Sequence, residues 1–148
     1  METNVAQRVS DLLAEAYNLA KSSETEKINS PALVAGHMAG LMRAKTEKFY
    51  ILLLDNSNRL IRKKLISKGT VDQTPVFPRE VVKAALLADA SGVILVHNHP
   101  GGDPSPSSQD RELTSKIKRI CVDMGIRLLD HVVVSRTGHF SFQEYGYL

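Results

Sequence analysis

Residues 92–110 read GVILVHNHPGGDPSPSSQD, and the architecture of the chain turns on them. Residues 92–96 are apolar and rich in β-branched side chains, the composition of a strand covered on both faces. Two histidines follow, then a segment holding Pro100, Pro104 and Pro106 with Gly101 and Gly102, in which no regular element can continue. Ser107 next supplies an N-cap for a helix whose apolar stripe is Leu113, Ile117, Ile120, Cys121 and Met124, stopped by Gly125. The expectation is a central strand, a sharply bent loop and an amphipathic helix, with polar side chains gathered where the strand ends.

Toward the N-terminus, Val5, Val9, Leu12, Leu13, Ala16 and Ala20 recur at helical spacing, which predicts an amphipathic first helix. The polar stretch KSSETEKINS at 21–30 separates it from the rest of the chain. Ser30 and Pro31 make an N-cap and first helical position for a second helix with the stripe Leu33, Val34, His37, Met38, Leu41 and Met42. Residues 49–54 read as a buried strand, Asp55 to Asn58 as a turn, and residues 60–66 as a more polar strand returning beside the first. Pro78 opens a third helix through about residue 90, and residues 128–134 and 140–142 give two closing strands around the turn at Arg136, Thr137 and Gly138. Helices alternating with strands that are joined partly by hairpins predict an α/β (α+β) chain, a mixed sheet with helices against it.

At 148 residues, 43% of them hydrophobic, one domain can bury roughly 70% of its unfolded surface and needs no disulfide or structural metal. Any metal is therefore expected to serve chemistry. The single cysteine, Cys121, excludes a disulfide framework, a Cys-rich zinc ribbon and a paired-cysteine deaminase site; it fits a reducing cytoplasm and reads as core. No apolar run approaches the roughly 20 residues of a membrane span, and the start METNVAQRVSD lacks a signal peptide's apolar centre, so a cytoplasmic protein without membrane contact is expected. The net charge of +3 supports nucleic-acid binding only weakly, because Arg59, Arg62, Lys63, Lys64 and Lys68, and Lys116, Lys118 and Arg119, share their segments with apolar residues at structural spacing.

His97 and His99 stand two apart at a strand end, and side chains two apart on a strand share a face. A loop of the length that separates His99 from Asp110 can fold back and bring that carboxylate beside both rings. Two imidazoles and one carboxylate leave a fourth tetrahedral position for water, the pattern of catalytic zinc sites. A plainer reading needs no metal: Ser107 and Asp110 form a capping box of the S-x-x-D kind. Both can hold at once, if Ser107 caps through its backbone position while its hydroxyl faces the site and Asp110 stays ionised at the positive helix end. Asp110→Asn separates the readings, with modest helix destabilisation in one case and loss of metal in the other. His37 and His139 lack ligand spacing, and Gly101 and Gly102 read as residues that permit the loop's bends, since no phosphate-loop lysine pattern accompanies them.

The pattern H-x-H-P-x6-S-x-x-D, carried by His97, His99, Pro100, Ser107 and Asp110, resembles the signature of the JAMM (JAB/MPN) metallohydrolases. The stretches TEKFYILLLDNSNRLI, FPREVVKAALLADASGVILVHNHPGGDPSPS and GIRLLDHVVVSRTGHFSF look like the RadC branch of that superfamily and extend the likeness over residues 28–148, leaving residues 1–27 as an N-terminal helix and linker. The resemblance implies a JAMM/MPN mixed β-sheet flanked by helices, in the layered manner of cytidine deaminases, with Zn2+ held by His97, His99, Asp110 and a water. It also implies a glutamate from an early strand, matched here by Glu47, as general acid and base, and Ser107 as hydrogen-bond donor to the oxyanion. His131, in the LLDHVVV segment typical of RadC-like chains, is a near-site candidate; its plainer reading is a hydrogen-bonded core histidine.

Two functions are compatible with these residues. One is a zinc metallopeptidase or isopeptidase, a metalloprotease hydrolysing an amide bond in a peptide or protein substrate. The other is a DNA-associated RadC-like module without peptidase activity; relatives usually carry a helix-hairpin-helix region for which about thirty residues leave no room, so DNA is the weaker expectation. The amphipathic first helix, outside the motif-bearing region, could pack against a second subunit in a homo-oligomer, and the sequence leaves the oligomeric state open.

Overall fold

The computed structural model describes residues 4–24, 26–69 and 76–148. Of the expected N-terminal helix and linker, residues 1–3 and 25 lie outside the described residues. In chain order the elements are α1 (Val5–Glu24), α2 (Pro31–His37), a 3-10 helix (Ala39–Arg43), β1 (Lys48–Leu54), β2 (Leu60–Lys68), α3 (Pro78–Leu87), β3 (Gly92–Asn98), α4 (Ser108–Asp123), β4 (Arg127–Ser135) and β5 (Gly138–Ser141). The strands form one mixed sheet, as the alternation of hairpins and helices predicts, and their order is β2-β1-β3-β4-β5.

The apolar run at 92–96 lies in the middle strand, β3, and every residue of that strand is buried. Its alternation serves two cores. Ile94 and Val96 join Leu52, Leu54, Val132 and Val134 under α2 and the 3-10 helix, whereas Val93 and Leu95 join Phe49, Ile51, Leu53 and the inner faces of α3 and α4. β3 pairs antiparallel with β1 and parallel with β4, and α4 supplies the crossover that a parallel pair requires. His97 follows Leu95 by two and so lies on the α3/α4 side. Leu95→Ala is expected to lower the stability of the fold by about 2–5 kcal/mol, read as a shifted urea midpoint with unchanged slope, because Leu95 is fully buried between two layers.

Some local expectations are corrected. The second helix is broken: α2 ends at His37, and the chain tightens through Met38 into the 3-10 helix, so that Val34, Met38 and Leu41 all reach the sheet. α3 stops at Leu87 and not near residue 90, because Asp89 takes a positive φ of 51° to turn the chain into β3. In α4, Ile117 and Cys121 face the sheet together with Thr114, whereas Ile120 and Met124 are 37% and 48% exposed. The buried row is Thr114, Ile117 and Cys121, at i, i+3 and i+7, and Ile120 and Met124 fall on its rim. Cys121 is core, as expected.

The apolar face of α1 packs into neither core; among the described residues Val5, Leu12, Leu13, Tyr17 and Leu19 each stay at least 65% exposed. No described helix is long and apolar enough to cross a membrane. In the β1/β2 register, Lys63 stands opposite Leu52 and Arg62 and Lys64 opposite Leu53 and Ile51. The basic residues of β2 are thereby divided between the two faces of the sheet.

Candidate metal centre

Four polar side chains meet where β3 ends. His97 is its penultimate residue; His99 follows the strand, with its backbone N–H still donating to the Val134 carbonyl of β4 at 2.9 Å. The loop then turns at once: Gly102 has φ of +98°, a conformation open to glycine, and its carbonyl accepts from the Thr137 hydroxyl at 2.5 Å. That fastening returns the chain to α4, where Asp110 stands in the first turn. Glu47 enters from the other side, immediately before β1, because the antiparallel register sets Phe49 opposite His97.

Glu47, His97, His99 and Asp110 each offer a ligand atom within 4.8 Å of all the others. The His97 and His99 Nε2 atoms are 3.0 Å apart. Asp110 Oδ1 lies 3.3 Å from His97 Nε2 and Oδ2 lies 3.1 Å from His99 Nε2, whereas Glu47 Oε1 stands farther off, 3.8 Å from His97 Nε2. A tetrahedral ion with bonds of about 2.0–2.1 Å requires ligand atoms roughly 3.3 Å apart. The two imidazoles and the Asp110 carboxylate match that spacing, so the donor set fits a divalent metal, with Glu47 at the side of the group. A mixed nitrogen and oxygen set of this kind suits zinc and its first-row neighbours.

The capping and metal readings of Asp110 are realised by the same carboxylate. Ser107 Oγ accepts from the Asp110 N–H at 3.0 Å, and Asp110 Oδ2 accepts from the Ser107 N–H at 2.8 Å, a complete capping box. The capping box read from the sequence is thus formed, with Ser107 capping through its side chain and not merely through its backbone position. Capping uses a lone pair of the hydroxyl; the O–H of this exposed residue remains available as a donor.

Electrostatics reinforce the cluster. The hydrogen bond to Asp110 pushes the His99 pKa up, against the opposing effect of burial and with help from the Asp103 carbonyl. Burial alone would raise the Asp110 pKa, but the neighbouring His97 and His99 imidazoles hold its carboxyl well below the usual carboxylate range. His131, fully buried, is pushed well below the ordinary imidazole value, first by burial and then by the neighbouring His97.

Three supporting residues complete the arrangement, and sequence reasoning missed two of them. Asn98, between the two histidines, points to the opposite face: its Oδ1 accepts from Lys48 N–H at 2.7 Å and its Nδ2 donates to the Thr46 carbonyl at 3.0 Å. It thus fastens the residues on either side of Glu47. A polar side chain inside an apolar strand was the available signal. Asn98→Ala is expected to destabilise the fold by roughly 1–3 kcal/mol for each backbone partner left unmet, measured by urea unfolding. Thr114, one turn after Asp110, lies 2.6 Å from His131 Nδ1, and His131 Nε2 lies 2.8 Å from His97 Nδ1. His131 is thus both a buried, hydrogen-bonded histidine and a direct neighbour of the cluster. Its predecessor Asp130 serves the fold, accepting from the Ser141 hydroxyl and from the His131 and Gln143 N–H groups. His37 pairs with Glu26 at 3.1 Å, away from the cluster.

Sheet order, crossover and convergent ligands define a mixed α+β domain with a candidate metal centre at the mouth of its central strand. Residues 28–147 match the model of the RadC-like JAB domain, and the chain belongs to that family. It is 41% identical over 133 residues to a UPF0758 protein of Actinobacillus pleuropneumoniae serotype 5b, across 89% of this chain and 60% of that protein. A UPF0758 protein of Thermotoga maritima is 41% identical over 123 residues, and one of Ruegeria pomeroyi is 46% identical over 104. The chain spans 60%, 55% and 46% of the lengths of these three relatives.

Proposed function

We propose that this chain is a zinc-dependent metallohydrolase that cleaves an amide bond of a peptide or protein, as a metallopeptidase or isopeptidase. The observation that carries this reading is the meeting of His97, His99 and Asp110 at tetrahedral spacing with the Glu47 carboxylate beside them. His97, His99 and Asp110 would hold the ion, which would supply Lewis acidity and make water at the site easier to deprotonate near neutral pH. Glu47 takes a proton from the attacking water as its oxygen adds to the amide carbon, then passes that proton to the amine as the C–N bond breaks. The Ser107 O–H donates to the oxyanion that develops on the former carbonyl oxygen.

Elemental analysis of the purified full chain is expected to find close to one zinc per molecule and none in His97→Ala. Digestion of a peptide library should then show cleavage that a chelator abolishes. Zinc-free wild type, or zinc-loaded wild type silent against peptide and isopeptide substrates, would defeat the proposal. Ser107→Ala is expected to cost about 1 kcal/mol of stability through the lost cap and, separately, about 10²–10³ in turnover through the lost donor. The DNA-associated module is the weaker reading, since the β2 cations face both sides of the sheet. Its signature would be affinity for duplex that falls steeply with salt and ignores chelator.

A further inference from the structure

The proposed reaction leaves His131 and Thr114 without a task, yet both are buried against the cluster. Their hydrogen bonds have one consistent direction. Thr114 Oγ1 lies 2.6 Å from the Asp110 carbonyl oxygen and also 2.6 Å from His131 Nδ1. Two oxygens that close require a proton between them, and a carbonyl brings none, so the threonine O–H is donated to Asp110. The hydroxyl has no second proton, and His131 must therefore donate its Nδ1–H to Thr114. A neutral imidazole carries one N–H, which leaves His131 Nε2 as an acceptor facing His97 Nδ1 at 2.8 Å. His97 fills that contact with its Nδ1–H, and its lone pair sits on Nε2, the atom that faces His99, Asp110 and Glu47.

We infer that Thr114 and His131 are positioning residues that hold His97 in the Nδ1–H tautomer, so that its Nε2 lone pair is presented to a metal. The inference rests on the proposed metal site and adds to it how one ligand is prepared. A ligating histidine ordinarily gives its second N–H to a carboxylate, a backbone carbonyl or water. His99 follows that habit, with Nδ1 at 2.9 Å from the Asp103 carbonyl. His97 uses an imidazole in that place, and the chain of hydrogen bonds ends on the backbone carbonyl of Asp110, another member of the cluster. One carbonyl on α4 thereby sets the proton positions of a side chain on β4 and of a ligand on β3. The tautomer of His97 therefore depends on the docking of all three elements.

The test uses the full chain labelled with ¹⁵N-histidine, freed of metal and examined near pH 8 by long-range ¹H–¹⁵N spectra, alongside zinc affinity from competition with a chelating dye. The wild type should show His97 protonated on Nδ1 and His131 protonated on Nδ1. His131→Phe, which keeps a ring against Phe49 and Phe142, and the near-isosteric Thr114→Val should each mix the His97 tautomers and weaken zinc binding about 10–100-fold. Thr114→Ser restores the hydroxyl and should recover most of that affinity, whereas a purely packing role would make Ser the poorer substitute. Should His131→Phe fail to fold, the Thr114 pair carries the comparison. A wild-type His97 protonated on Nε2, or folded Thr114→Val binding zinc as tightly as wild type, would overturn the inference. Failure of wild type to bind zinc would instead defeat the proposed metal site, and the tautomer spectra, recorded without metal, would still decide this one.

Discussion

Asp110→Ala is expected to empty the candidate metal centre and loosen the start of α4 in one substitution. Its carboxylate reaches His97 and His99 with separate oxygens, and the oxygen near His99 also accepts the Ser107 N–H. Removing it takes away one of the three proposed ligands and half of the capping box. Loss of a ligand should exceed the roughly 10–100-fold affinity losses typical of residues one layer further out. The metal-free protein should lose about 1 kcal/mol through the weakened cap. The metal-loaded difference should be larger, because a ligand at 100 times its dissociation constant contributes about 2.7 kcal/mol to the native state.

Asp110→Asn is the informative companion, since its amide oxygen can still accept from Ser107 while the negative charge is gone. It should bind no zinc and yet keep most of the metal-free stability, checked by elemental analysis and by thermal unfolding with and without chelator. Retention of stoichiometric zinc by either variant would sink the ligand assignment. The pH dependence has a definite sign. Asp110 is held below its ordinary 3.8, so its contribution is present above that value and lost as pH falls through the lowered one. His99 is raised above 6.5, so its share is complete below that value and lost as pH rises through the raised one. The metal-free stability gap between wild type and Asp110→Asn should therefore be widest between about pH 4 and 6.5.

Glu47→Gln should have the opposite profile, leaving zinc content unchanged while cutting hydrolysis by about 10²–10⁴. The glutamine keeps the shape of the side chain, and the tether from Asn98 to Lys48 and Thr46 is untouched. What disappears is the capacity to accept and return a proton. Zinc measured beside turnover of whichever library peptide the wild type cleaves separates this outcome from misfolding. A variant that loses zinc and activity together would make Glu47 a ligand and not the proton carrier, and one that retains full activity would remove it from the mechanism.

Much of this architecture was legible because its signals are local. The apolar run before His97, the prolines of the loop, the Ser107 cap and the Asp55 to Asn58 turn each act within a few residues, and each appears where spacing placed it. Local signals also mark where reading stopped. The stripe of the second helix continued past His37, but reaching the sheet with both Val34 and Leu41 required a change of helical pitch. The α4 stripe included Ile120 and Met124, although only the docked helix decides which row faces inward.

The chemistry on offer could be read from residue order alone: two imidazoles at a strand end and a carboxylate that a helix cap holds in place depend on short-range backbone geometry. Long-range packing selected their neighbours. Glu47 reaches the group through the antiparallel register of β1 on β3, and His131 through the parallel register of β4. Thr114 joins them only because α4 packs its inner row on that face. These meetings join positions 50 and 34 residues from His97, and no local signal encodes a strand register; it is set when the buried faces of the whole sheet come into alignment.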